Sequence, residues 1–379
     1  MVVYLDNAAT TPIAPEVVDV MIPVLKDEFG NPSSTHSFGR KSKALIETSR
    51  RSIAKHLNCQ PSEIIFTSGG TEADNMALQS AVDVLGVTQI ITSRIEHHAV
   101  GHTVESIEKN DGVNINYVNI DNKGHVDLAH LEELLQGPEK KLVSLMHANN
   151  EIATLLPLKR VSQMCRQYGA YFHSDTVQTM GHYAFDLQEL DIDYITCAAH
   201  KFHGPKGVGF LYVNKKTKSG ALIHGGAQER GLRGGTENVY GIVGLTKAME
   251  LAYEDVESHQ KQVQELKTYM INELKAYFEN ISFHGETDPD TSLYTVLNVC
   301  FPLTEKSSML LFTLDLKGVA VSGGSACSSG SNSGSHVLTG IGADMSRPNA
   351  RFSFSRYTTK QEIDFALEQV KAVFEKTLA

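Results

Sequence analysis

The sequence predicts an α/β fold: a large, mostly parallel sheet followed by a smaller α+β unit. Three observations carry that expectation. First, short apolar runs at 64–67, 89–92, 114–118, 142–146, 170–173, 194–196 and 208–213 alternate, over the earlier part of this region, with stretches of helical spacing such as 71–85 and 158–168. Strand then helix, repeated, implies parallel strands covered on both faces. Second, residues 238–278 are polar and helix-prone, with no proline and no glycine after Gly244, and read as one helix connecting two units. Third, strand candidates at 281–284, 294–300, 319–321 and 351–355 and a terminal helix from Thr359 outline the smaller unit, which the strand-like segment 2–5 is expected to join. The 379 residues are more than one core needs and suit two.

Composition narrows the partners. Apolar residues make up 41% and charged residues 21%, as in an ordinary globular protein. The net charge of −10 argues against nucleic acid or an anionic membrane surface as the main partner, and the absence of tryptophan argues against a base-stacking platform. No apolar run approaches the roughly 18 residues that span a bilayer, and no basic leader precedes an apolar stretch. The cysteines at 59, 165, 197, 300 and 327 are odd in number, far apart and without a CxxC pair. Neither a disulfide framework nor a thiolate zinc site is indicated, and a cytoplasmic location is expected.

In parallel sheets ligands bind beyond the carboxyl ends of the strands. After the run at 64–67 comes SGGTE (68–72), opening a helix. Its glycines permit close backbone approach, and free amides, the helix dipole and the hydroxyls of Ser68 and Thr71 suit a phosphate. The alternative is a plain strand-to-helix turn. The pattern is neither GxxxxGK[ST] nor GxGxxG, so nucleotide sites are disfavoured. Asp175 ends the run after Gly169, followed by Gln178, and Lys201 ends the run from Tyr194. A lysine at the end of a buried strand must be neutralised, paired or used covalently. An amine that can form a Schiff base, a carboxylate and a phosphate cradle together fit pyridoxal phosphate, with the carboxylate on the pyridinium nitrogen. Taken singly, Asp175 reads as a helix cap and Lys201 as a surface residue.

His97 follows the run at 89–92, where its ring could stack on a flat cofactor, cap a helix or fill a core. His98 and His102 stand four apart as metal ligands do on a helix, but no glutamate lies between them and no third ligand is evident, so no metal is expected. Ten of the thirteen residues 323–335 are Gly or Ser, which predicts a mobile segment carrying an accessible Cys327. Cys165 and Cys197, in apolar contexts, read as core residues. Arg351 opens a strand candidate; it could clamp a carboxylate, although a lone arginine reads first as a surface ion pair.

These segments together resemble the NifS-like cysteine desulfurases that supply sulfur for iron–sulfur cluster assembly, class-V members of the aspartate-aminotransferase-like pyridoxal-phosphate enzymes. The resemblance rests on YLDNAATTP (4–12), GNPSSTH (30–36), FTSGGTE (66–72), Glu96-His97, HANNE (147–151), DTVQ (175–178), His200-Lys201, RGLRGGT (230–236) and GSAC (324–327). It implies a large cofactor-binding domain over 13–255 with a seven-stranded sheet. A small domain over 1–12 and 256–379 would carry the cysteine loop at about 322–335. It also implies roles. Lys201 would hold the cofactor and act as acid and base, Asp175 would pair with the ring nitrogen, Gln178 and Asn150 would lie near the ring oxygen, and His97 would stack on the ring. Gly70, Thr71 and His200 would bind the phosphate, with Thr236 reaching over from the second subunit of a homodimer. Asn31, Asn150 and Arg351 would hold L-cysteine, and Cys327 would be the nucleophile that passes sulfur to an acceptor or scaffold protein. Where the family often has a small hydroxyl residue three before the lysine, this chain has Ala198. Other readings of the same residues are a selenocysteine lyase or another pyridoxal-phosphate lyase or aminotransferase, a non-enzymatic persulfide carrier, or a metal hydrolase using His98 and His102.

Overall fold

The β-branched and aromatic runs that the alternation picks out as strands are strands. The structure is a computed structural model that describes residues 1–304, 309–324 and 334–374. In chain order its elements are β1 (Val3–Tyr4), α1 (Pro15–Asp27), α2 (Ser37–His56), β2 (Ile64–Thr67), α3 (Gly70–Asp83), β3 (Gln89–Thr92), α4 (His98–Asp111), β4 (Asn114–Tyr117), α5 (Leu128–Leu135), β5 (Lys141–Ser144), α6 (Leu158–Gln167), β6 (Tyr171–Asp175), β7 (Tyr194–Ala198) and β8 (Gly209–Val213). Then come α7 (Val239–Tyr253), α8 (Val256–Tyr277), β9 (Ser282–His284), β10 (Val296–Cys300), α9 (Leu310–Leu316), β11 (Val319–Ala320), α10 (His336–Gly340), β12 (Asn349–Ser353) and α11 (Lys360–Phe374).

Seven strands form the large sheet in the order β2-β8-β7-β6-β5-β3-β4. Strand β8 runs antiparallel to both of its neighbours and the remaining pairs are parallel. Strands β2, β3, β5, β7 and β8 are buried throughout, as expected when helices cover both faces. One apolar cluster packs α1, α2, α6 and α7 on one side; another packs α3 and α4 on the other. A third core belongs to the smaller unit, where β12-β10-β9 form an antiparallel sheet under α8 and α11 and β1 pairs with β11. The opening strand thus joins the smaller unit, and its register sets Val3 against Val319.

The connecting helix is two helices. The chain breaks at Glu254–Asp255, between α7 and α8. Both halves have helical composition, so no local signal marks the break. It falls where burial changes partner: Met249 and Ala252 of α7 enter the core of the large sheet, whereas Val263 and Met270 of α8 enter that of the small unit.

Two buried cations hold the frame that positions the site. Arg50 of α2 donates to Glu229 through Nη1 and Nη2, both at 2.7 Å, and to the Ile64 carbonyl at 2.8 Å, while Glu229 also accepts from the Phe66 amide at 2.9 Å. The pair fixes β2, the strand that leads into Ser68–Thr71. Lys267 of α8 is fully buried and donates to Ser292 Oγ and the Leu293 carbonyl, each at 2.9 Å, where that segment meets Ala153 and Thr154 of the large unit.

Replacing Glu229 with Ala leaves Arg50 as an unpaired buried charge and is expected to cost about 3–5 kcal/mol in denaturant unfolding. For Lys267, burial pulls the amine down to about 7 from 10.5, against the attraction of Glu286. Between those pH values the unfolded chain holds more protons than the folded one, so unfolding free energy should rise with pH across the window. Thermal melts at stepped pH should show this rise, and it should flatten in Lys267→Met.

Candidate functional site

The carboxyl-terminal edge of the large sheet opens on a cavity of about 210 Å³. Asp175 is the last residue of β6, and its Oδ1 accepts from the Val177 amide at 2.8 Å and from the Thr196 hydroxyl at 3.4 Å. Lys201 closes the single turn of 3₁₀ helix that follows β7, and its Nζ donates to the Ala8 and Ala9 carbonyls at 2.6 and 2.9 Å. Both residues line the cavity, so the readings of Asp175 as a plain cap and Lys201 as a surface residue do not hold.

His97 does two things at once. Its Nδ1 accepts from the Ala99 amide at 3.1 Å, capping α4, and its ring lines the cavity. Burial, with Lys201 nearby and against the pull of Asp175, keeps its imidazole below the ordinary value, which favours a neutral ring. Gln178 lines the cavity and donates to the Ala8 carbonyl at 3.0 Å, and Asn150 lies beside it.

The residues expected to hold a phosphate are divided between two cavities. Gly70, Thr71 and His200 line the cavity. A Cβ on Gly70 would stand 2.6 Å from Val177 Cγ2, so only glycine lets the start of α3 come this close. His200 contacts the Thr10 hydroxyl through Nδ1 at 3.1 Å, and burial, then the charge of Lys201, holds it down at about 4. Ser68 departs from expectation. Its amide is taken by Glu72, itself gripped by Arg233, and Ser68 faces a separate cavity of about 130 Å³. Thr236 lines that second cavity, and Asn31, whose Oδ1 accepts from the Ser33 amide, lines neither. Ala198 lines the main cavity with its methyl group.

Arg351 corrects the surface ion pair. It is 1% exposed, donates to Asp6 Oδ1 and to the Asn150 carbonyl at 2.9 Å each, and leaves a buried Nε without a partner. It lines the cavity, and a guanidinium with donors to spare suits a carboxylate. His98 stacks near His102 and His336, with ring centroids 4.8 and 4.4 Å away, but among the described residues no group of three potential ligands could hold a metal ion. Cys327 and most of its glycine–serine segment lie outside the described residues. Of the other cysteines, burial pushes Cys59 up to about 12 and raises Cys165 and Cys197 as well, so these three stay thiols.

Sequence reasoning missed Asp74, a buried acid in the same cavity wall. One signal was available: it stands one helical turn after Gly70, on the same face of α3, between apolar Ala73 and Met76.

Residues 3–365 match the aminotransferase class-V family. The chain belongs to the class-V aminotransferase family. It is 44% identical to the cysteine desulfurase IscS of Dictyoglomus turgidum over 99% of this chain and 95% of that one. Among solved structures it is similar to a NifS-like protein (TM-score 0.91, 36% identity, 98% of this chain and 99% of that one) and to SspA in complex with cysteine (TM-score 0.82, 33% identity, 94% and 100%).

Enzymes of this class-V family depend on pyridoxal 5′-phosphate. The cavity fits that group in its chemistry: an amine, a carboxylate and a flat neutral ring converge, and the glycine start of α3 leaves a cradle that a Cβ would fill. Gly70→Val should therefore lower cofactor affinity by about tenfold or more through overpacking. Equilibrium titration of the apoprotein with pyridoxal phosphate, followed by absorbance, measures it.

Proposed function

We propose that this class-V enzyme is a cysteine desulfurase that takes sulfur from L-cysteine, releasing L-alanine and leaving a persulfide on Cys327. The observation that carries the reading is the convergence of Lys201, Asp175, His97 and the buried Arg351 on one cavity.

Pyridoxal phosphate, when bound, supplies the electron sink that loosens bonds at the substrate α-carbon. Gly70, Thr71 and His200 hold its phosphate, Lys201 its aldehyde, Gln178 and Asn150 the neighbourhood of its ring oxygen, and His97 its face. Asp175 keeps a proton on its ring nitrogen. Arg351, helped by Asn31 and Asn150, grips the substrate carboxylate and orients the α-proton towards Lys201. Lys201 Nζ takes that proton and later returns one. Cys327, as thiolate, attacks the substrate sulfur. A sulfur–sulfur bond forms, the carbon–sulfur bond breaks, and its electron pair goes to the carbon, which is protonated. The sum is L-cysteine plus a thiol giving L-alanine plus a persulfide. Cys59, Cys165 and Cys197, held as thiols by burial, do not compete.

The enzyme works as a homodimer in the cytoplasm and passes its sulfur to an acceptor or scaffold protein, in iron–sulfur cluster assembly or tRNA thiolation. The dimer is supported by an apolar surface along α1 and the start of α2, where Ile22, Leu25, Phe29 and Phe38 are exposed and Phe29 is 76% accessible. It is supported also by Thr236, which lines a separate cavity from its own chain's main one, as a residue that serves the partner's phosphate site would. The division into a large domain over 13–255 and a small one over 1–12 and 256–379 agrees with the separate cores. No helix among the described residues is long and apolar enough to cross a membrane.

In the test, Lys201→Ala loses the absorbance of the covalently held cofactor, and alanine formation falls about a hundredfold or more. Cys327→Ser still binds cofactor and L-cysteine but yields no protein persulfide by mass spectrometry. Unchanged sulfide release from Cys327→Ser would overturn the assigned nucleophile, and pyruvate in place of alanine would overturn the reaction.

A further inference from the structure

Cys327 has to reach the cavity, and the two flanks of the segment that carries it meet at one side chain. Glu151 closes the HANNE stretch, next to the cavity-lining Asn150, and no step of the mechanism uses it. It is fully buried, and its Oε2 accepts from the Ser335 hydroxyl at 2.5 Å. Gly324, on the other flank, packs against the same oxygen: a Cβ there would stand 2.8 Å from Glu151 Oε2 and 3.2 Å from Ser335 Cβ. Its φ of +147° is one that residues with side chains rarely adopt, so both space and backbone call for glycine. Glu151 Oε1 is buried with no partner among the described residues. Burying a carboxyl is costly unless it is hydrogen-bonded, and the bond this one makes is to the root of the Cys327 segment.

The root is tied to the cavity wall on both sides. Ahead of it, the Arg351 amide donates to the Ser322 carbonyl at 2.6 Å, and the Ser322 amide donates to the Arg351 carbonyl at 3.3 Å. Behind it, His336 Nε2 lies 2.8 Å from the Glu96 carbonyl, next to His97, and Val337, Leu338 and Ile341 pack with Ile95 and Ile152. Glu151 is itself held from both units. Its amide donates to Asn149 Oδ1 at 2.9 Å, and its carbonyl accepts from Asn298 Nδ2 of β10 at 3.1 Å. Cys327 is the third residue after Gly324. An extended chain covers at most about 3.6 Å per residue, so the Cys327 Cα stays within about 11 Å of the Gly324 Cα. The point at which Gly324 is held therefore bounds where the thiol can attack.

We propose that Glu151 is a positioning residue that pins the two flanks of the Cys327 segment to each other and to the turn carrying Asn150, so that the thiol is tethered beside the cavity. The inference rests on the assignment of Cys327 as nucleophile given above. Glu151 touches neither substrate nor cofactor in this scheme. It holds Gly324 and Ser335 together, and it contributes to the effective concentration of the thiol at the substrate sulfur while leaving the binding of cofactor and L-cysteine to other residues.

The test is the single-turnover rate of persulfide formation on Cys327 in the holoenzyme mixed with L-cysteine, followed by quenching and mass spectrometry. Glu151→Ala and Ser335→Ala should each slow it about tenfold or more, while affinity for pyridoxal phosphate and the spectral titration with L-cysteine stay within about twofold of the parent. Glu151→Gln keeps an oxygen for the Ser335 hydroxyl and should stay within about twofold in rate. The double variant Glu151→Ala, Ser335→Ala should be no slower than the slower single one, because both cut the same contact. If Glu151→Ala does not fold, Gly324→Ala drives a methyl group against Glu151 Oε2 and carries the same expectation. Parent rates in the alanine variants, additive losses in the double one, Glu151→Gln as slow as Glu151→Ala, or cofactor affinity falling in step with the rate would each overturn the role of Glu151, and Cys327→Ser without a persulfide would leave the nucleophile assigned. Unchanged sulfide release from Cys327→Ser would overturn that assignment and the positioning role with it.

Discussion

The parallel pairing of β6 with β7 sets Asp175 opposite Thr196, and the chemistry of the site is arranged around that register. Because side chains alternate along a strand, a slip of one residue would turn Asp175 away from the cavity and leave a charge in the apolar layer on the opposite face, which α6 and α7 cover. The same register brings Lys201 to the sheet edge a few residues beyond Thr196, on the turn that ends β7. An acid and an amine on neighbouring strands reach one hollow because the strands run the same way and stop at the same level. The sheet reverses direction only at β8, on the far side of β7.

Charge burial sets the second constraint. Arg50, Lys267 and Arg351 are all withdrawn from water, and each is matched by a carboxylate or by carbonyl oxygens. Such groups contribute little as isolated attractions but penalise any arrangement that separates them. Arg50 with Glu229 fixes the strand leading to the phosphate cradle, Lys267 fixes the crossing between the two units, and Arg351 carries the smaller unit's β12 up to the cavity wall. The frame is specified where misplacement would be most costly.

Much of this was legible in the sequence. All seven strands of the large sheet were, because buried parallel strands are short apolar runs that no local turn imitates. Lys201 and Asp175 were legible because they end such runs, and His97 because it follows one. What was hidden depended on partners remote in the chain. Arg351 reads as a surface residue until Asp6, 345 positions away, is found beside it. The break at Glu254–Asp255 follows from which core each half of the helix enters, a property absent from helical spacing. Ser68 reads as a phosphate donor until its amide is seen to be taken by Glu72, which Arg233 holds in place. Asp74 stood on the correct face of its helix, but the helix alone carries no hint that His173 of β6 lies 3.3 Å from it.

The stretch from Asp6 to Thr11 is stitched on both sides. Ser353 of the smaller unit accepts from the Asn7 amide and donates its hydroxyl to the Leu5 carbonyl, and Asp6 takes the guanidinium of Arg351. Within two further residues the carbonyls of Ala8 and Ala9 receive the amine of Lys201, and Thr11 is tied to the His200 carbonyl. Arg351 and the Lys201 amine are therefore linked through a few peptide units. A shift of the small unit against the large one would be felt at the oxygens that hold the Lys201 amine.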